Sequence, residues 1–404
     1  MPVDAFARSL IGGVAANMTP LAGGIFNAKP SNTANLRRVI LDAMVGTARG
    51  RILIAGDSTA RGHGTSSGPF YGGTASSWHI RFANLLAARG VPVNTNYVMA
   101  ASNCTTFTGG GLDYATLEPR ATVGTGWSIA TGQQVPGGSA LQANVGATGS
   151  INYNFGSFAY DTIDLFYIRT ASSGTIAIDR AGTAATGSPL ATLNAGGTIM
   201  GGTSLTVAGA PASGILNIGP PSGGSVYLAG VGVRNSLVPA VEFLNCAIGA
   251  STASGSWTGG SAFNPKSGMA IMNPSVLIIE LGVNDLNGGV SPATFTTGIQ
   301  GLITAYKSGS CDVIIKTPIQ SDPSQWPSSG NSQATNLALH AVYVDALKAL
   351  ATSNDVPLIL SNTIFGTYAE ASARGYYSDS RHGSQRGYLA EAASVNSLLQ
   401  MMGI

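Results

Sequence analysis

Ser58 follows a short apolar run, Ile52-Leu53-Ile54-Ala55, by way of Gly56 and Asp57. A buried strand that ends in a glycine-permitted turn brings a hydroxyl to the carboxyl edge of a sheet, where an open α/β fold carries its chemistry. A serine in that position is equally suited to capping the helix that follows. A hydroxyl attacks a carbonyl only when a base removes its proton, and histidine has the pKa for this near neutrality. The chain has four histidines. His79 and His340 fall within expected helices, where packing or a surface position is the ordinary use. His382 lies in the loop SDSRHGSQRG with Asp379 three residues before it, a spacing at which the carboxylate can orient the imidazole within one helical turn. Beside Arg381 the same ring could also simply be solvated. His63, five residues after Ser58, is the rival base and a candidate substrate contact.

Acyl transfer also needs donors where negative charge develops on the carbonyl oxygen. A second apolar run, in PSVLIIELGVNDLNG, ends at Gly282-Val283-Asn284-Asp285, and Asn284 is either such a donor or a turn residue. Gly64-Thr65-Ser66-Ser67-Gly68 fits the G-x-S-x-G elbow pattern, but no strand runs into it, and in a chain with this much glycine and serine it reads as chance. No P-loop, dinucleotide fingerprint or His-rich metal cluster is present in the sequence. Hydrolysis with no cofactor and no metal is the simplest chemistry left.

The three segments GDS at 56–58, GVND at 282–285 and DSRH at 379–382, with Gly387 behind the last, resemble the SGNH/GDSL hydrolase family. The resemblance covers roughly 51–110 and 240–404. It implies a serine esterase in which Ser58 is the nucleophile, His382 the base and Asp379 its orienter. It further implies an oxyanion site built from the backbone N–H of Ser58, the backbone N–H of a glycine after another strand, and the Asn284 amide. The stretch 96–106 has no glycine in the required place, Asn103 and Cys104 standing there instead, so the role goes to Gly249 in LNCAIGAST. Asp57 is expected to turn away from Ser58 and accept backbone hydrogen bonds that fix the turn.

The elements that must position these residues alternate in the manner of an α/β fold. A helix over 34–45 precedes the first strand, a helix over 78–89 and a strand over 91–101 follow it, and this reads as the βαβ start of a doubly wound, flavodoxin-like parallel sheet. After 241 come strands at 241–244, 273–281, 311–317 and 356–360, with helices over 292–308, 333–351 and 387–399. A Pro/Ser-rich loop, 320–332, falls near the active-site edge. Between them, 115–240 has short alternating runs separated by turn residues and no long helix. Tyr153, Phe155, Phe158, Tyr160, Leu165, Phe166 and Tyr167 supply it with a core, so it is read as an inserted, independently packed β-sandwich and not as a linker. The expected organisation is therefore an arm or lid over 1–33, hydrolase segments over 34–114 and 241–404, and the insertion over 115–240.

Composition narrows the setting. Of 404 residues only 9% are charged while 55 are glycine, a usage that fits a secreted or particle-borne, β-rich protein better than a cytosolic metabolic enzyme. A net charge of +2 offers no basic stripe for nucleic acid. Cys104, Cys246 and Cys311 are widely spaced and read as small buried hydrophobes. The first residues, MPVDAFARSL, make a poor signal peptide, and no apolar stretch is long enough to span a membrane. An extracellular, cell-surface or phage-particle location is expected. Loops rich in Ser, Gly and Asn, with isolated aromatics Phe70, Tyr71, Trp257 and Trp326, favour an acylated carbohydrate substrate, His63, Trp257 and Trp326 being its candidate contacts. A lipid or thioester hydrolase is the alternative within enzymes. A non-catalytic glycan-binding or structural module of a phage tail or cell surface is the alternative outside them.

Overall fold

The computed structural model describes residues 24–63, 77–99, 114, 118–169, 174–181, 191–194, 200–207, 210–257, 264–325 and 332–404. The arm expected over 1–33 falls mostly outside these residues, as do the 64–68 pattern, Phe70, Tyr71, Asn103, Cys104 and Trp326.

The central element is the strand Gly50–Gly56, buried along nearly its whole length. Its side chains alternate between two cores, as the two-residue period of a strand requires. Ile52 and Ile54 pack with the helices Ala34–Val45, Trp78–Ala87 and Gln385–Met401. Leu53 and Ala55 pack on the opposite face with the helices Pro292–Tyr306 and Gln333–Ser353. Helices thus cover both faces of a seven-stranded sheet, whose order runs Ile25–Phe26, Leu358–Ile359, Asp312–Lys316, Val276–Glu280, Gly50–Gly56, Val241–Asn245, Val93–Asn94. All neighbours pair in parallel except the first two. Gly50–Gly56 has the next core strands on either side, Val241–Asn245 and Val276–Glu280, which makes its carboxyl end the switch point of the doubly wound fold.

The strand expected over 91–101 divides in two. Val93–Asn94 lies at the edge of the central sheet, and Tyr97–Met99 leaves it to pair antiparallel with Val226–Arg234. The Asn94 side chain makes the break, its Oδ1 accepting from Asn96 N–H at 2.9 Å and its Nδ2 donating to Val233 O at 2.8 Å. The place beside Gly50–Gly56 goes to Val241–Asn245, on the far side of the insertion.

The insertion forms two antiparallel sheets, five-stranded from Ala191–Asn194 to Ala121–Val123 and six-stranded from Met200–Thr206 to Trp127–Val135 with Tyr97–Met99 attached. The sheets share a core that includes Tyr153, Phe155, Tyr160, Leu165 and Tyr167. Their packing is not independent of the parallel-sheet domain. The strand Thr162–Ile168 is buried at every position, and Phe166 and Ile168 point away from that core to join Leu53, Leu244 and Met272. Asp164, within the same strand, accepts from Arg51 Nη2 at 2.6 Å and Tyr97 OH at 2.7 Å. Arg51 Nε also donates to Glu242 Oε2 at 2.8 Å, so one guanidinium joins the insertion to the amino-terminal end of the central sheet. Against the cost of burial, Arg51 and hydrogen bonds from Ser204 and Tyr97 hold the Asp164 carboxyl below its usual range. Cys246 and Cys311 are free buried thiols. Among the described residues no helix is long and apolar enough to cross a membrane.

Candidate active site

Gly56 permits the turn by which the central strand reaches Ser58. A Cβ there would lie 2.3 Å from Ala60 Cβ and 2.8 Å from Glu280 O. Ser58 then opens the one-turn helix Ser58–Arg61, with Asp57 as its N-cap. Asp57 Oδ1 accepts from Thr59 N–H at 2.9 Å and Thr59 Oγ1 at 2.7 Å, as the sequence leads one to expect of a turn-fixing carboxylate.

His382 Nε2 lies 2.9 Å from Ser58 Oγ, and His382 Nδ1 lies 2.8 Å from Asp379 Oδ2. The intervening loop is shaped by the same carboxylate, since Asp379 Oδ1 accepts from the N–H groups of Arg381 and His382, each at 2.7 Å. Burial works against the ionised form of Asp379, but these bonds and the His382 ring outweigh it and hold the carboxyl below its usual range. The Asp322 N–H anchors the loop on Ser380 O at 2.8 Å. A serine, a histidine and an aspartate so aligned can pass a proton from the hydroxyl to the imidazole while the aspartate fixes the tautomer.

His63 is not within that relay. Its backbone N–H bonds Ser58 O, its ring centroid stands 5.7 Å from that of His382, and its Nε2 is buried without a partner. Burial first, then the His382 and Arg61 charges, push it down to about 3, leaving a neutral ring poorly suited to act as a base. His79 and His340 are buried, with pKa values lowered chiefly by desolvation. Neither bonds Ser58; His79 meets Ser77 Oγ and His340 meets Pro318 O.

Gly249 and Asn284 meet at one turn. Ile248 N–H and Ser251 Oγ both donate to Gly56 O, at 2.9 and 3.2 Å, which seats the 248–251 turn against the end of the central strand. Asn284 Nδ2 donates to Ser251 O at 3.1 Å. Its helix, Val283–Asn287, starts at Gly282 with φ +127°, a backbone conformation L side chains rarely adopt. Trp257 requires correction as a substrate contact. It is fully buried, and its indole N–H donates to Ser251 Oγ at 3.0 Å, so the ring supports the turn from behind and has no free face for a sugar. Trp326 lies outside the described residues.

Beneath the site, sequence reasoning missed a buried ionic group. Lys316 Nζ donates to Glu280 Oε1 at 2.7 Å and Glu391 Oε2 at 2.6 Å, and Trp78 Nε1 donates to Glu280 Oε2 at 2.6 Å. Desolvation pushes Glu391 up to about 8, with Lys316 opposing it and Glu280 adding to it. The available signal was two buried parallel strands, VLIIE and DVIIK, that each end in a charge and pair Glu280 with Lys316 in register.

The parallel sheet carries at its switch point the serine, histidine and aspartate alignment that serine hydrolases use. The description GDSL-like Lipase/Acylhydrolase family fits residues 202–390, which include Asn284, Asp379 and His382 but not Ser58. Over those residues the chain carries a GDSL-like lipase/acylhydrolase domain, of a family of hydrolases acting on esters. Among solved structures, a peptidoglycan O-acetylesterase is 15% identical with a TM-score of 0.66, over 94% of this chain and 99% of its own. That likeness is one of fold and extends across the insertion. A Bacillus subtilis protein is 17% identical over 69% of this chain and 91% of its own, with a TM-score of 0.34. A carbohydrate acetylesterase from Sinorhizobium meliloti is 17% identical over 40% of this chain and 79% of its own, with a TM-score of 0.31. Neither of these two looser likenesses bears on function. No curated protein matches the chain.

Proposed function

We propose that this chain is a serine esterase that removes O-acyl groups, O-acetyl foremost, from a carbohydrate polymer at or beyond the cell surface. The observation that carries the esterase reading is the 2.9 Å contact between Ser58 Oγ and an imidazole held at its other nitrogen by Asp379. As Oγ bonds the acyl carbon, His382 takes its proton and the carbonyl electrons move onto oxygen, where the Ser58 and Gly249 N–H groups and the Asn284 amide receive the charge. Collapse expels the sugar alkoxide, which leaves with the proton from His382. Water then attacks the acyl-enzyme with His382 again as base, releasing the acid and restoring Ser58. His63, neutral and with an unpartnered Nε2 near His382, is proposed to contact the substrate.

The carbohydrate reading is supported by the polar, glycine-rich loops around the motifs and by the O-acetylated polymer on which the fold relative of 0.66 TM-score is named to act. The two antiparallel sheets, taken as a sandwich inserted over 115–240, add a surface on which a polymer can rest. Acetate release from O-acetylated peptidoglycan and from other acetylated polysaccharides should be measured beside cleavage of nitrophenyl esters of rising chain length. Release of acetate by the wild type and its abolition in Ser58→Ala is the expected result. Efficient cleavage of long-chain esters with no acetate from any glycan overturns the carbohydrate assignment in favour of a lipid ester.

A further inference from the structure

Arg61, the last residue of the nucleophile helix, is 7% exposed and sits where three separate segments converge. Its Nη1 donates to Gly137 O at 3.1 Å and to Ala247 O at 3.2 Å. Gly137 lies in the tight turn between Trp127–Val135 and Gly138–Ala143, the hairpin by which the insertion reaches the central sheet. Ala247 lies between the strand Val241–Asn245 and Gly249.

The hairpin is itself firmly seated. Gly137 N–H donates to Cys246 O at 2.9 Å, Val135 is fully buried in the core beneath the sheet, and Pro136 packs so close to Gly268 that a Cβ there would come within 2.7 Å of its ring. The helix Ser58–Arg61, by contrast, has a single turn, and a helix that short has no stability of its own. Its position is set by what grips it: the Asp57 cap at the start, Asn245 Nδ2 on Ala60 O at 3.2 Å, and the Arg61 fork at the end. A planar guanidinium holds two carbonyls in a fixed geometry that a flexible ammonium does not reproduce.

We propose that Arg61 is a positioning residue through which the inserted hairpin at 135–138 sets the placement of Ser58 relative to the Gly249 turn. The proposal rests on the reading of Ser58 as nucleophile and of Gly249 as oxyanion donor. It makes the insertion part of the reaction machinery, because the register of nucleophile and oxyanion turn depends on where the hairpin sits.

The test uses the full chain, 4-nitrophenyl acetate as substrate and a fluorophosphonate to count competent Ser58 sites, so that rates are expressed per labelled site. Arg61→Lys is expected to lower kcat about 10-fold and Arg61→Met about 100-fold, the scale of a misplacement of about 1 Å, with KM changed less than about threefold. Guanidinium ion added to Arg61→Ala should restore part of kcat. Val135→Ala, which loosens the hairpin seat without touching the fork, should lower kcat in the wild type and add little in Arg61→Met. Folded Arg61→Met with kcat per labelled site within about twofold of wild type overturns the proposal. So do strictly additive effects of Val135→Ala and Arg61→Met. Labelling that persists in Ser58→Ala is a different failure, since it removes the nucleophile assignment on which both proposals stand.

Discussion

Asp57→Asn separates the shape of the nucleophile turn from its charge. Asp57 is wholly buried; Oδ1 accepts both Thr59 bonds, and Oδ2 has no partner. Desolvation, with repulsion from Glu280 added, pushes the carboxyl from 3.8 up to about 7, and the Thr59 bonds only partly oppose it. The unfolded chain gives up this proton near 3.8, whereas the native protein keeps it to about 7. Between those values the native state binds more protons, so stability falls as pH rises, and the contribution present below 3.8 is gone above about 7. At about 1.36 kcal/mol per pH unit, the loss amounts to roughly 4 kcal/mol. Asparagine keeps an acceptor for Thr59 and places an amide where Oδ2 stood, at a cost of about 1–3 kcal/mol that does not vary with pH. Urea denaturation of both proteins at intervals from pH 4 to 8 measures the difference. The wild type should lose about 4 kcal/mol relative to Asp57→Asn across that range. Two stability curves that stay parallel would refute the reasoning, since they would mean that Asp57 ionises as readily in the fold as out of it.

Asn284→Ala should lower kcat by about 100-fold to 1000-fold with a smaller change in KM, measured on 4-nitrophenyl acetate, because its amide is asked to meet charge that exists only in the transition state. A raised KM with kcat unchanged in that variant would point to substrate binding instead. Lys316→Met leaves Glu280 and Glu391 buried without their shared cation, and urea denaturation at pH 7 should show a loss of about 3–5 kcal/mol.

The parts of the site that can be read from the sequence are those whose function needs a local turn. Gly56-Asp57-Ser58 and Gly282-Val283-Asn284 each end an apolar run, and the contact of Asp379 with His382 spans a single turn of loop. Gly249 follows Val241–Asn245, the strand that stands beside Gly50–Gly56, while Tyr97–Met99 leaves the central sheet for the insertion. What escaped depends on distant partners. Trp257 has the look of an exposed loop aromatic until Ser251 is seen to take its N–H. The break at Asn94 depends on a carbonyl of Val233. TIDLFYI reads as one more strand of a sandwich, yet its complete burial follows from having the hydrolase on its second face, and the charged Asp164 in its midst was the one visible sign. Arg61 is a single basic residue with no pattern around it, and its partners Gly137 and Ala247 lie on other elements.

The pairing of Tyr97–Met99 with Val226–Arg234 has a further consequence for how the chain comes together. Arg51 and Glu242, which bond across adjacent strands, are 191 residues apart in the chain, so the central sheet needs a very distant closure. The antiparallel contacts of Met99 with Gly230, Val98 with Val231 and Tyr97 with Gly232 tie the entrance of the insertion to its exit. Once that stem exists, the insertion counts as a single knot, and the segment left to close shrinks to about a third of its length, lowering the entropic barrier by about 1 kcal/mol. During synthesis the strand that carries Ser58 emerges early, and the strand leading to Gly249 emerges only after the whole insertion has left the ribosome. The stem therefore shortens the closure that sets residue 241 beside residue 50, the pairing from which the 248–251 turn reaches the Gly56 carbonyl.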